Sequence, residues 1–376
     1  MTPCRRILLS LAIGGLGGCL FAWLHWPLAW MLGAMTSTTA CSLAGARLIV
    51  PKSTRSVMMM VLGVALGGSF SPALQDRVGT LGGVAVYTIV AAGLGGCFLR
   101  RVIGYDSVTA FFAATPGGLS EMTIIGGAMG GNERLISMSH ALRLMMVVFA
   151  TPLWVQLTVG AAGVGLGAAR GFPSWQAVWT TGDLTPLDGA WLAGCLIGGP
   201  VATLLKVPAS SLLGPMALSI VVHALELTTH SPPLLLVMMA QVGVGAAIGC
   251  RFSGLERRSV LLSVGPAIGL TALMLIAVVA MAAGLSRWTG ISEPLLVLAL
   301  APGGLAEMSM AAWALGEDPA FVTAHHLARI VFVIVGAPTF FALRRRFSQS
   351  RAAAFSGGFP PFEKAVSGKT RRKRKR

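Results

Sequence analysis

Charge is scarce in this chain, and acidic charge scarcer still. Only 11% of the 376 residues are charged, with 13 aspartates and glutamates against 29 lysines and arginines. A soluble domain carries about a quarter charged residues, so an ordinary water-facing surface is excluded. Paired cysteines are missing too. Cys4, Cys19, Cys41, Cys97, Cys195 and Cys250 are scattered, mostly in apolar runs, with no Cys-x-x-Cys among them. That excludes a disulfide framework and leaves the six as small buried residues. No histidine pair has zinc spacing on a helix, so no metal or other cofactor is expected. There is no ATP-binding loop, which excludes primary pumping by this chain alone. No helix-turn-helix, zinc finger or aromatic platform is present, and nucleic-acid binding is not expected.

What remains is apolar. Hydrophobic residues make up 55% of the chain and the mean hydropathy is +0.76. This is the composition of an all-α polytopic membrane protein. The 48 glycines fit that class, because small residues let transmembrane helices approach closely. Trp23, Trp26, Trp30, Trp154, Trp175, Trp179, Trp191 and Trp288 gather near the ends of apolar runs, as in an interfacial aromatic belt.

Two stretches are near copies. Thr115-Pro116-Gly117-Gly118-Leu119-Ser120-Glu121-Met122 corresponds to Ala301-Pro302-Gly303-Gly304-Leu305-Ala306-Glu307-Met308. The offset is 302 − 116 = 186 residues, and it continues without a gap to His140 and His326, Arg143 and Arg329, and Pro152 and Pro338. Apolar segments follow the same duplication. The first half offers 6–25, 27–46, 54–71, 79–99, 106–130 and 134–158. The second offers 187–205, 208–227, 233–251, 259–284, 294–315 and 320–343. A crossing helix needs about 20 apolar residues. The segments at 106–130 and 294–315 are broken by Pro-Gly-Gly, since proline removes a backbone donor and glycine weakens a helix. Each arm is long enough to reach mid-bilayer and return, so a re-entrant hairpin is expected in each half.

Charge asymmetry supports that count. With five spans and one hairpin per half, Arg5, Arg6, Arg47, Lys52, Arg55, Arg100 and Arg101 lie on the cytoplasmic side, as do Lys206, Arg251, Arg257, Arg258 and Arg344. This satisfies the positive-inside rule. Counting the broken segments as full spans would move Arg251, Arg257 and Arg258 outside. The expectation is therefore two inverted repeats of about five transmembrane helices plus one broken-helix hairpin each. Residues 1–160 form the first repeat, 161–186 a periplasmic linker, 187–345 the second repeat, and 346–376 a basic, disordered cytoplasmic tail. Both termini are placed in the cytoplasm of a bacterial inner membrane. The apolar run after Arg5-Arg6 is taken as the first span rather than a cleaved leader. The tail, ending Lys369-Thr370-Arg371-Arg372-Lys373-Arg374-Lys375-Arg376, suits anionic lipid headgroups. A homodimer is compatible with this layout.

The chemistry lies in the copied stretches. Glu121 and Glu307 fall in the first turn of a short arm, where the positive helix end favours a carboxylate. His140 and Arg143 share a helix face, as do His326 and Arg329. A charge at that depth costs a few kcal/mol or more if unpaired. In one reading each glutamate pairs with its arginine and pins a hairpin to the next helix. In the other, Thr115, Pro116, Gly117, Gly118, Ser120, Glu121, His140 and Arg143, with Pro302, Gly303, Gly304, Glu307, His326 and Arg329, form a substrate- or ion-binding centre. There the glutamates and histidines carry protons. The second copy loses two hydroxyls (Ala301 for Thr115, Ala306 for Ser120), so the hairpins are not equivalent.

These features, with the glycine-rich stretch Leu62-Gly63-Val64-Ala65-Leu66-Gly67, resemble the AbrB-type duplicated inner-membrane proteins, over about residues 7–345. The resemblance implies a multipass inner-membrane protein with a duplicated domain and supplies no substrate. Labels used in that family, ammonia monooxygenase and regulator of gene expression, find no supporting residues in the sequence. The functional expectation is a secondary transporter, not an enzyme. It would carry a small polar solute, with anions among the candidates, coupled to protons or sodium, with its site at the two Pro-Gly-Gly breaks. The rivals are a membrane-bound regulator acting through a partner and a membrane oxygenase.

Overall fold

A computed structural model describes residues 3–69, 80–161 and 185–356. Among the described residues every regular element is helical. The first half comprises α1 (Pro3–Trp23), α2 (Ala29–Leu43), α3 (Lys52–Gly67), α4 (Leu81–Arg101), α5 (Ser107–Ala114), α6 (Leu119–Ala128) and α7 (Glu133–Ala161). The second comprises α8 (Pro186–Cys195), α9 (Gly198–Leu204), α10 (Ser210–Ala224), α11 (Leu234–Gly249), α12 (Arg257–Thr289), α13 (Glu293–Leu300), α14 (Leu305–Ala314) and α15 (Pro319–Ser356). A short 3-10 turn, Cys250–Phe252, follows α11. The chain divides into a compact unit, Met1–Val331, and a second unit, Phe332–Arg376. The described part of the second unit is the helical stretch that ends at Ser356, past residue 345 where the sequence placed the end of the second repeat. Most of the linker expected at 161–186, and residues 357–376 of the tail, lie outside the described residues.

Seven helical segments are long and apolar enough to cross a membrane: Cys4–Trp23, Leu81–Arg101, Glu133–Thr158, Pro186–Leu204, Leu234–Phe252, Arg257–Thr289 and Pro319–Gly336. The three other expected spans are shorter helices. α2 and α10 have 15 residues each and α3 has 16, below the roughly 20 of a perpendicular crossing. Their ends are set by backbone geometry. Leu28 before α2 and Ala209 before α10 both adopt left-handed conformations, with φ of 51° and 50°, which cost a non-glycine residue energy that the surrounding packing must supply. Trp23 and Trp288, at helix ends, are exposed, in keeping with an aromatic belt.

The two broken segments open as expected. α5 starts at Asp106, whose carboxylate accepts from the Val108 and Thr109 amides at 3.0 and 2.9 Å, and ends at Thr115 in extended geometry, as the residue before a proline prefers. α6 restarts from extended Gly118. α13 and α14 are separated in the same way, with Ala301 and Gly304 extended.

The helices of the first unit gather into two bundles, each drawn from both halves of the sequence. In one, α1 packs on α2, α9 on α10, α2 on α11 and α3 on α10, with α3 also against α11. In the other, α4 packs with α5 and α12, α7 with α5, α6, α12 and α13, and α13 with α12 and α14. The bundles meet where α14 touches α3 and α2 touches α7. The first bundle depends on glycine. A Cβ on Gly33 would collide with the backbone of Gly17, and one on Gly214 with the backbone of Gly198. Likewise Gly63 lies on the Leu212 carbonyl and Gly245 on the Met31 carbonyl. Such approach is how apolar helices gain dispersion contact where lipid offers no hydrophobic drive.

Candidate functional site

α7 and α15 each present a histidine and an arginine three residues apart to the end of a hairpin arm. His140 Nε2 contacts the Phe112 carbonyl at 2.9 Å, and Arg143 Nη2 lies 2.8 Å from His140 Nδ1. His326 Nε2 contacts the Leu298 carbonyl at 3.1 Å, and Arg329 Nη2 lies 2.9 Å from His326 Nδ1. An arginine can only donate and a carbonyl can only accept. The neutral Nε2–H tautomer satisfies both contacts, so each imidazole orients its arginine with both ring nitrogens committed. The arginines continue the pattern. Arg143 Nη1 donates to the Ala113, Ala114 and Thr115 carbonyls, each at 3.4 Å. Arg329 donates to Leu300, Ala301 and Gly303, the last at 2.8 Å. All but that of Gly303, which lies in the link between α13 and α14, belong to the ends of α5 and α13, which lack helical donors where the helix breaks. A guanidinium at a helix C-terminus also meets the favourable end of the dipole.

The ion pair considered from the sequence is not formed. Among the described residues neither Glu121 and Arg143 nor Glu307 and Arg329 make a salt bridge; the arginines hold hairpin carbonyls instead. Each glutamate folds back over the glycine that starts its own helix, so that a Cβ on Gly118 would collide with the Glu121 carboxylate and one on Gly304 with that of Glu307. The two differ in setting. Glu307 is 3% exposed, whereas Glu121 is exposed.

Both breaks border one cavity of about 310 Å³. It receives Gly117, Gly118, Glu121, His140 and Arg143 from the first copy, and Pro302, Gly303, Gly304, Glu307 and Arg329 from the second. Among the described residues Thr115, Pro116 and His326 are not among its walls. The Thr115 hydroxyl is spent on the Phe111 carbonyl, 2.8 Å away, and His326 is fully buried behind Arg329. The side chain of Ser120 lies outside the described residues, while Ala306 at the matching position does line the cavity.

The opposite wall comes from the other bundle and was missed by motif reasoning. Arg55 and Ser56 stand in the first turns of α3, Arg251 in the turn after α11, and Pro208 to Leu212 at the start of α10. Arg251 is within electrostatic reach of both Arg55 and Glu307. A signal was present. Setting α3 on α11 from their first residues pairs Arg55 with Val237 and Arg251 with Ser69, so neither charge has a counterpart in the other half, although Lys52 opposite Leu234 is unmatched in the same way. Tyr87 on α4 was also missed. It is fully buried, its hydroxyl has no partner, and it lies within electrostatic reach of both Arg143 and Arg329. The remaining histidines serve packing. His223 Nδ1 meets the Ser219 carbonyl at 2.8 Å, and His325 bridges the Thr80 hydroxyl and the Phe321 carbonyl, both at 2.8 Å. His230 approaches Asp188 at 3.6 Å.

An all-helical chain with seven membrane-length apolar helices and a polar cavity among them defines a polytopic membrane protein. Comparison with known proteins narrows this. The chain belongs to the AbrB family: the family model described as "Transition state regulatory protein AbrB" matches residues 30–345. It is 30% identical over 366 residues to "Uncharacterized protein YhjN" of Bacillus subtilis (strain 168), covering 89% of this chain and 91% of that one. It is 25% identical over 343 residues to "Putative regulator AbrB" of Escherichia coli (strain K12), covering 89% and 94%.

Proposed function

We propose that this chain is a secondary transporter of a small polar, anionic solute, coupled to protons or sodium, and that its two halves are inverted repeats in a bacterial inner membrane. One observation carries the reading. Two duplicated helix breaks, each held by a buried His-Arg pair, face a cavity lined by four arginines and two glutamates between two helical bundles. Interrupted helices at matched positions in two halves mark transporter binding sites, because their freed backbone groups can meet a solute. The cavity wall on the other bundle gives a surface against which the hairpins can open and close. Both termini and the Arg55–Arg251 side of the cavity are assigned to the cytoplasm by the distribution of lysine and arginine.

The test is uptake into proteoliposomes by the full chain, with a metabolite pool outside and an imposed proton or sodium gradient. Gradient-dependent accumulation that Gly303→Val abolishes is the expected result. A valine there would press on Met308. Accumulation unaffected by Gly303→Val and Glu307→Gln together would remove the site from the reading.

A membrane-bound regulator acting through a partner is the second reading, favoured by the name of the Escherichia coli relative. It expects a gene-expression phenotype that survives loss of both hairpin glutamates. An oxygenase needs converging metal ligands; among the described residues no three His, Cys, Asp or Glu side chains are placed to hold a metal ion. Stoichiometric copper or iron in purified protein would favour that reading.

A further inference from the structure

We infer that the ligand of this cavity is a small dianion, a short dicarboxylate or a divalent oxyanion, bound by four arginines that come from both bundles. The ligand class rests on the transporter reading only for the ligand's passage; its binding can be measured without transport. Charge in the cavity is unbalanced. Arg55, Arg143, Arg251 and Arg329 line it against Glu121 and Glu307, so four guanidiniums meet two carboxylates and two positive charges are left uncompensated. His140 adds none, because its ring nitrogens already match the neutral tautomer.

Hydrogen bonding is unbalanced in the same direction. Among the described residues each of the four arginines has a buried N–H without a partner: Nε of Arg55, Arg143 and Arg329, and Nη1 of Arg251. Arg143 and Arg329 are 3% and 4% exposed. Unpaired donors on buried charges are costly, and the four side chains that carry them line one cavity. The backbone adds to this excess of donors. α6, α10 and α14 begin at the cavity through Gly118, Ala209 and Gly304, and none of the three has a side-chain cap. At α6 and α14 the Glu121 and Glu307 carboxylates already lie over those starts, which leaves the positive end of α10 to favour an anion. Size sets the upper bound. About 310 Å³ holds roughly ten waters at ~30 Å³ each, which suits a four- to six-carbon diacid. A monoanion would leave one charge unmatched, a neutral solute two, and a cation would be repelled.

Purified full-length protein should be titrated with succinate, sulfate, lactate, glycerol and choline at fixed ionic strength, by calorimetry and thermal unfolding. Succinate or sulfate is expected to bind and raise the melting temperature, with lactate much weaker and glycerol and choline silent. Arg55→Gln and Arg251→Gln should each weaken dianion binding by about tenfold or more, the scale of a charge-assisted hydrogen bond. These two stand on the wall away from the hairpins, so they spare the bonds that hold the breaks. Should either variant fail to fold, the salt dependence of succinate binding to the wild type takes its place, and affinity must fall as salt rises. Equal binding of glycerol or choline, or no response to either dianion, overturns the inference. The transporter reading fails separately. Dianion binding without counterflow in proteoliposomes would keep the site and remove transport, whereas gradient-driven uptake of a neutral or cationic solute would do the reverse.

Discussion

Arg329 and Arg143 act on backbone rather than on the glutamates, and that changes what their removal does. Each supplies donors to carbonyls stranded at a helix break. Arg329→Met would bury several unsatisfied acceptors, and a loss of about 2–5 kcal/mol is expected, read as a lower unfolding temperature in detergent. Arg329→Lys should recover little of it, since an ammonium cannot span carbonyls and His326 as the planar fork does. The double variant Glu121→Gln with Arg143→Met provides the sharper measurement. Because no ion pair joins the two residues, the double variant should be at least as destabilised as Arg143→Met alone. Restoration of stability by the second change would mean that the pair forms after all. The glutamates themselves should separate by setting. Buried Glu307 is expected to be the more sensitive position: Glu307→Gln should lose gradient-driven uptake, and Glu121→Gln should retain a larger share.

Helix contacts in the α1–α3 and α8–α11 bundle are set by single glycines, and their substitution gives a test with an internal control. Gly33→Val and Gly214→Val place branched side chains against the backbones of Gly17 and Gly198. Overpacking of this kind costs about 1–3 kcal/mol, and backbone on both sides leaves little room to relax. Around Gly15 on α1 and Gly93 on α4 there is open space, with no atom within 4 Å of where a Cβ would stand. Alanine there should be neutral or slightly stabilising, because alanine is the better helix former. Thermal unfolding of the four variants checks both arms, and equal losses in all four would show that lipid contact rather than helix contact governs these positions. The hairpin arms were legible from sequence for a related reason. Pro116 and Pro302 cannot continue a helix, and the two glycines after each leave the restart point at Gly118 and Gly304.

At the scale of the molecule, the bundles cut across the two halves of the sequence. Segments one to three of both halves pack together, and segments four to six of the first half pack with segments four and five of the second. The cavity is consequently asymmetric. It is walled by the start of α10 but not by the start of α2, its counterpart in the first half. In the proposed inverted repeats those two helix starts face opposite sides of the membrane, which would put this cavity nearer the side of α10. A phosphatase fused within residues 160–187 should be active and one at the C-terminus silent. An inactive fusion in the link would make the halves parallel repeats and put Arg251 on the other side of the membrane. The same comparison assigns the side from which the dianion enters.

The sequence alone determined the class, because a chain with so few charges cannot face water over its whole surface. It also pointed to the two hairpin breaks, where a proline and two glycines act together; a lone proline was not enough, since Pro152, Pro215 and Pro266 lie inside helices. Matched motifs 186 residues apart pointed to His140, Arg143, His326 and Arg329 without help from the fold. Tertiary structure decided what those residues touch. Arg143 turned from a supposed glutamate partner into a donor to carbonyls because the break in α5 leaves acceptors nearer than the carboxylate. Only the fold could bring Arg55 and Arg251 to the cavity, since they lie on different helices and have no counterpart in the other half. Charge periodicity along one chain reports depth and sidedness; which charges meet across 196 residues, from Arg55 to Arg251 (251 − 55), is fixed by how α3, α11 and α10 pack.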